Sequence, residues 1–80
     1  MIMNIYTVYD KVAEECYSLF EQKNNALALR QFERLLEKTD STSKNDYELY
    51  HLGSVDKTTM EISPIKPVVV QLKIFYCVIG

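Results

Sequence analysis

From Ile2 to Tyr9 the chain reads IMNIYTVY, with apolar or aromatic side chains at both odd and even positions. β-Branched and aromatic residues suit a pleated strand, and apolarity in both parities suits an inner strand covered on both faces. Asp10-Lys11 begins a connection, Val12 to Glu15 suits a helical turn, and Tyr17 to Gln22 reads as a short second strand. Asn24-Asn25 then opens the clearest element. Asparagine caps helices because its side-chain oxygen accepts a free backbone N–H of the first turn. Ala26 to Lys38 (ALALRQFERLLEK) is rich in strong helix formers, and Ala28, Leu29, Phe32, Leu35 and Leu36 recur with the spacing of one buried stripe. Arg30, Glu33, Arg34, Glu37 and Lys38 fall on the other side.

The polar run Thr39 to Asn45 predicts a loop, and Tyr47 to Val55 resumes strand character. Asp56 to Thr59 predicts a turn with Met60 to Ile62 returning as a hairpin, while Pro64 and Pro67 mark a bend. The end of the chain alternates: Val68, Val70, Leu72, Ile74, Tyr76 and Val78 are apolar, and Gln71 and Lys73 lie between them. That is the period of a half-buried strand. The fold expected is α+β: a small antiparallel sheet of about four strands with one main amphipathic helix packed on one face. Residues 1–80 are expected to form a single domain, with 68–80 as an apolar C-terminal strand.

Composition narrows the chemistry. With 48% hydrophobic and 25% charged residues, six tyrosines and three phenylalanines, the chain is globular in type. Nine basic against eleven acidic side chains give a formal charge of −2, so contact with nucleic acid requires a local basic patch. Cys16 and Cys77 are far apart in sequence and form no CxxC pair, which suits reduced cysteines in a cytosolic protein. The N-terminus has no basic segment or long apolar core of a signal peptide, and Val68 to Ile79 is short for a bilayer helix, so no membrane span is expected.

Catalytic and metal-binding arrangements are not expected. His51 is the single histidine and shares its strand face with Tyr47 and Leu49; Glu14-Glu15 and Glu33/Glu37 read as solvated surface. Gly53 and Gly80 cannot form a phosphate-cradling loop. No cofactor is implied. Arg30, Arg34 and Lys38, spaced i, i+4, i+8 with Lys23 just ahead, could line a helix ridge against successive phosphates, with Tyr6 and Tyr50 stacking unpaired bases. Arg30–Glu33 and Arg34–Glu37 are equally the i, i+3 pairs of an ordinary surface helix. Self-association through the sheet face or the last strand, at Leu72, Ile74 and Tyr76, is the third reading, set against a sheet that curls to close its own core.

Three blocks, in order, carry a resemblance: NIYTVYDK (4–11), FEQKNNALALRQF (20–32) with Asn24, Ala28, Arg30 and Phe32, and DYELYHLGSVDKTTMEI (46–62). Together they resemble the small nonstructural protein of gokushovirus-type microviruses, single-stranded DNA phages, over residues 1–67. That family often has a glycine in the hairpin turn, where this chain has Thr59, and a more polar tail. The resemblance implies a nonstructural protein encoded beside capsid and replication genes. Members are sometimes described as DNA-binding, with a proposed role in the switch to single-stranded DNA synthesis and packaging. The expected function is therefore a non-enzymatic phage accessory protein in the host cytoplasm, outside the mature virion. Its expected partners are single-stranded DNA, phage or host replication or assembly proteins, or a second copy. The alternative is a protein–protein interaction module with no nucleic-acid contact.

Overall fold

The computed structural model describes residues 1–38 and 46–70. Its elements are β1 (Ile2–Asp10), β2 (Glu15–Cys16), β3 (Phe20–Gln22), α1 (Asn25–Glu37), β4 (Tyr47–Asp56) and β5 (Ile62–Val69). All pairings are antiparallel, in the order β2-β1-β4-β5, with β3 also pairing with β1.

This corrects the expected α+β layer of about four strands under one main helix. Among the described residues the protein is mostly β: five strands form one curled sheet, a half-barrel, and α1 is a single short helix. Two features of the chain produce the difference. The expected second strand, Tyr17 to Gln22, is divided into β2 and β3, because three steps along β1 from Tyr9 to Tyr6 are matched by four from Cys16 to Phe20. An extra residue of this kind bends a strand and increases its local twist. β4 carries another: Ile5 pairs with Gly53 and Tyr6 with His51, leaving Leu52 without a partner on β1. The curl of the sheet follows these irregularities, which no hydrophobic period records.

β1 is the inner strand its two-parity pattern predicts. Tyr6, Thr7 and Val8 are buried in succession, and Thr7 on the second face donates from Oγ1 to the Tyr17 carbonyl at 2.8 Å. The core joins Tyr6, Val8, Leu49 and Val70 to Ala28 and Leu29 of α1. The helix runs as expected. Asn24 Oδ1 accepts from the Leu27 N–H at 2.9 Å, and Lys38 N–H closes the last turn on the Leu35 and Leu36 carbonyls. The buried stripe is narrower than expected, since Phe32 and Leu36 are half-buried and Leu35 is exposed. Of Val12 to Glu15, expected as a helical turn, the first three residues lie in a single turn closed by the Glu14 N–H on the Asp10 carbonyl at 2.8 Å, and Glu15 already opens β2. Asp10 Oδ1 takes the Val12 and Ala13 N–H groups, and Glu14 sits at φ +58°.

β5 runs through Pro64 and Pro67. An edge strand tolerates proline because one side of its ladder has no partner to supply with an N–H. The bend is real nonetheless: from His51 to Gly53 β4 advances two residues while β5 advances four, Val68 to Pro64. Leu72, Ile74 and Tyr76, and the rest of the expected C-terminal strand beyond Val70, lie outside the described residues, as does the loop 39–45.

The β4–β5 turn places its left-handed residue at Met60 (φ +69°), one position after Thr59. Thr59 Oγ1 accepts from the Glu61 N–H, and Asp56 Oδ1 accepts from the N–H groups of Thr58 and Thr59. A side chain at positive φ costs about 1 kcal/mol, partly offset by the greater freedom of glycine in the unfolded chain. Met60→Gly is therefore expected to raise Tm by about 2–4 °C, and Thr59→Gly to lower it. Thermal melts of the two variants check this ordering.

Candidate nucleic-acid interface

The cations foreseen on the helix lie together on its solvent side. Arg30, Arg34 and Lys38 are exposed, as is Lys23 just ahead of α1. Four residues of helix rise about 6 Å, so the row of three spans about 12 Å. Among the described residues the ion pairs join the N-terminal ammonium to Asp56 (4.0 Å) and Lys57 to Glu21 (2.9 Å). Among the described residues neither Arg30–Glu33 nor Arg34–Glu37 closes into a pair, and all three cations of the row are exposed. Arg34 and Lys38 also stand in the last turn and at the C-cap, where positive charge favours the helix itself.

Helical geometry aims this row at a feature the sequence did not disclose. Gln31, Arg34, Lys38 and Leu35 are neighbours at three- and four-residue spacings, so the cations border the flank that carries Gln31 and Leu35. Between that flank and the β2–β3 return lies an open cleft of about 590 Å³, walled by Val8, Tyr17, Leu19, Phe20, Gln31 and Leu35. A smaller hollow of about 130 Å³ continues from it past Val8 and Tyr17 to Tyr47. Tyr17 N–H still donates to the Val8 carbonyl at 2.9 Å, and the extra residue between β2 and β3 lifts Ser18 and Leu19 out of regular pairing beside the cleft; Tyr17 is 50% and Leu19 60% exposed. Tyr17 leans on Tyr47 with ring centroids 6.0 Å apart at 60°. The polar groups at the wall are Ser18, Cys16 and Gln31, and Gln31 Oε1 accepts from Gln22 Nε2 at 2.6 Å.

The expected stacking tyrosines are not here. Tyr6 is fully buried, its ring stacked between Phe20 (5.8 Å) and His51 (5.1 Å). Its hydroxyl donates to Asn25 Oδ1 at 2.6 Å and accepts from Asn4 Nδ2 at 3.0 Å. That burial removes Tyr6 from any contact with a base. Tyr50 is half-buried on the sheet face away from α1, because its register partner is Thr7 while Val8 and Leu49, one step on, enter the core. There it lines a separate groove of about 390 Å³ with Tyr9, Leu52 and Pro67, and meets Tyr9 edge to face at 5.9 Å. Burial, then the hydrogen bond to Glu48, pushes the Tyr50 phenol up. The fold thus brings Arg30, Arg34 and Lys38 together, and sets Tyr50 on the opposite side of the sheet.

Of the residues considered for catalysis, His51 turns inward, its Nε2–H donating to the Gly53 carbonyl at 2.9 Å. Cys16 and Glu14, Glu15, Glu33 and Glu37 are exposed, and Cys77 lies outside the described residues. Among the described residues no three histidine, cysteine or acidic side chains gather to hold a metal ion, and no helix is long and apolar enough to cross a membrane. Tyr17 and Gln31 were missed by sequence reasoning. Gln31 was legible in part, since it shares a helix flank with Arg34 and Lys38.

The hydrogen bond from Tyr47 to Tyr17, assisted by burial and nearby carboxylates, pushes the Tyr47 phenol up from 10.0 to about 12. A phenol raised in the folded state contributes stability that is complete below the unfolded value and is lost as pH climbs to the folded one. Part of the alkaline unfolding between pH 10 and about 12 is therefore expected to vanish in Tyr47→Phe. Denaturant midpoints measured across that range, wild type against variant, check it.

No curated protein and no solved structure matches the chain. The family model of the Phage ORF5 protein matches residues 3–74, from the start of β1 to beyond β5. The match takes in the cation row, the β2–β3 return and both walls of the cleft, and the chain belongs to the Phage ORF5 protein family: it is a phage protein.

Proposed function

We propose that this phage protein is a non-enzymatic accessory factor that binds single-stranded DNA during genome replication or packaging. On this reading it is the nonstructural protein of a gokushovirus-type microvirus, acting in the host cytoplasm and left out of the virion. The observation that carries the reading is the row Arg30, Arg34 and Lys38, unpaired among the described residues, beside a cleft walled by Tyr17 and Phe20. Cations tracking a backbone next to aromatic surface for unpaired bases is how single strands are held without sequence preference. Tyr17 takes the stacking role first expected of Tyr6, with Lys23 extending the phosphate track.

Salt decides it. Each phosphate neutralised on a single strand contributes about −0.7 to the slope of log affinity against log salt. Three or four contacts predict a loss of about twenty- to fiftyfold between 50 and 200 mM salt. Arg30→Glu/Arg34→Glu is expected to weaken binding of a labelled oligonucleotide at least tenfold and to flatten that slope. Equal affinity in the double variant would rule the ridge out. A second reading, association with a replication or assembly protein or a second copy, draws on the exposed apolar side chains Tyr17 and Leu19 at the same cleft. Affinity that ignores salt, or light scattering that detects a complex needing Leu19, would favour it.

A further inference from the structure

We propose that the sheet face opposite α1 docks a basic protein segment, with the corner between Tyr9 and Tyr50 and the carboxylate of Glu48 taking an arginine side chain. This goes beyond the single-strand reading and uses other residues. The groove of about 390 Å³ on this face is walled by Thr7, Tyr9, Cys16, Tyr50, Leu52 and Pro67, so most of its surface is aromatic and aliphatic carbon. Thr7, buried at its base, already spends its hydroxyl proton on the Tyr17 carbonyl. The rings of Tyr9 and Tyr50 stand at 88° with centroids 5.9 Å apart, and two perpendicular rings bound a corner lined by π surface.

Charge selects the occupant. Along β1 this face carries Met3, Ile5, Thr7 and Tyr9, and β4 adds Glu48 opposite Tyr9 and Tyr50 opposite Thr7. Glu48 is the one charge among these six positions. Its carboxylate belongs to a half-buried residue, and Oε1 accepts from the Tyr50 hydroxyl at 3.2 Å. The ion pairs of the described residues, Met1–Asp56 and Lys57–Glu21, do not involve it, and Lys66, beside Pro67, is not part of the groove wall. A partly desolvated carboxylate with a neutral partner gains from a cation brought to it. Arginine suits the set better than lysine, because its planar guanidinium stacks on a ring while its fork of N–H donors reaches a carboxylate. A nucleic-acid strand suits it worse, since its phosphates would meet Glu48, with the row Arg30, Arg34 and Lys38 on the helix across the sheet. The two faces thus sort their partners by charge.

The test is an NMR titration of the full chain with N-acetylarginine methylamide and with its citrulline counterpart, which keeps the shape and lacks the charge. A partly exposed cation–π contact together with one ion pair corresponds to about three- to tenfold in affinity. The arginine derivative is expected to bind more tightly than the citrulline one by about that factor, moving the ring signals of Tyr9 and Tyr50. Glu48→Gln keeps an acceptor for the Tyr50 hydroxyl and is expected to abolish the difference. Equal binding of the two derivatives by wild type, or binding of neither, overturns the proposal whether or not the variant folds, and leaves the single-strand reading standing. Tyr9 and Tyr50 signals that follow oligo-dT and ignore the arginine derivative overturn it as well, assigning the groove to unpaired bases. An arginine response that appears in Lys73→Ala and not in wild type would give Glu48 to this chain's own lysine, with the same consequence.

Discussion

Gly53→Ala is expected to lower the stability of the protein by more than about 4 kcal/mol. Gly53 lies buried in the middle of β4, in register with Ile5 of β1 on one side and Pro64 of β5 on the other, just past the irregular residue Leu52. Its φ of +153° belongs to a region that side chains rarely enter, which costs about 1–3 kcal/mol for alanine. A Cβ there would also meet the Ser63 carbonyl oxygen at 2.5 Å and the Pro64 Cα at 2.9 Å. Both are backbone atoms, so relief requires β5 to move off β4. The sum exceeds about 4 kcal/mol, at the severe end for a single substitution. A domain of 80 residues has in total about 4–12 kcal/mol of stability. Circular dichroism and urea titration of Gly53→Ala beside Ser54→Ala, one residue along the same strand, provide the measurement. A Gly53→Ala midpoint close to that of Ser54→Ala would refute the assigned backbone geometry.

Tyr6 carries the second large expectation, divided between its ring and its hydroxyl. Tyr6→Ala removes a fully buried ring stacked on Phe20 and His51 and is expected to cost about 3–5 kcal/mol. Tyr6→Phe keeps the ring but leaves Asn25 Oδ1 and Asn4 Nδ2 without their shared partner, for about 1–3 kcal/mol. Asn25 begins α1, so this hydroxyl ties the helix start to the inner strand. In a double-mutant cycle with Asn25→Ala the two losses should fall short of additive, because each removes the same bond. Oligonucleotide affinity of folded Tyr6→Phe is expected to equal wild type. A stable Tyr6→Phe that no longer binds DNA would return Tyr6 to the interface.

The hydrogen bonds of Tyr6 explain how one residue can be read correctly for type and wrongly for place. An aromatic in a strand whose neighbours are apolar in both parities is as suited to the core as to a partner. Its face is settled only by what is paired beside it. Moving the register by one residue would exchange Tyr6 for Thr7 and Leu49 for Tyr50 across the sheet. The cation row was legible for the opposite reason: i, i+4, i+8 spacing within one helix keeps Arg30, Arg34 and Lys38 aligned whatever the helix packs against. Tyr17 and Gln31 meet across the cleft only because a residue of the return strand is left over between β2 and β3.

What the sequence determined by itself was local. The cap at Asn24, the extent of α1, the two-parity inner strand β1 and the β4–β5 hairpin all depend on residues within a turn or two of each other. Tertiary structure decided the rest. It set the curl of the sheet at Leu52 and between Cys16 and Phe20, the inward turn of Tyr6 and His51, and the opening of the cleft beside the helix cations. These depend on how strands distant in sequence align, a balance of pairing and burial across the whole sheet that no single stretch of chain contains.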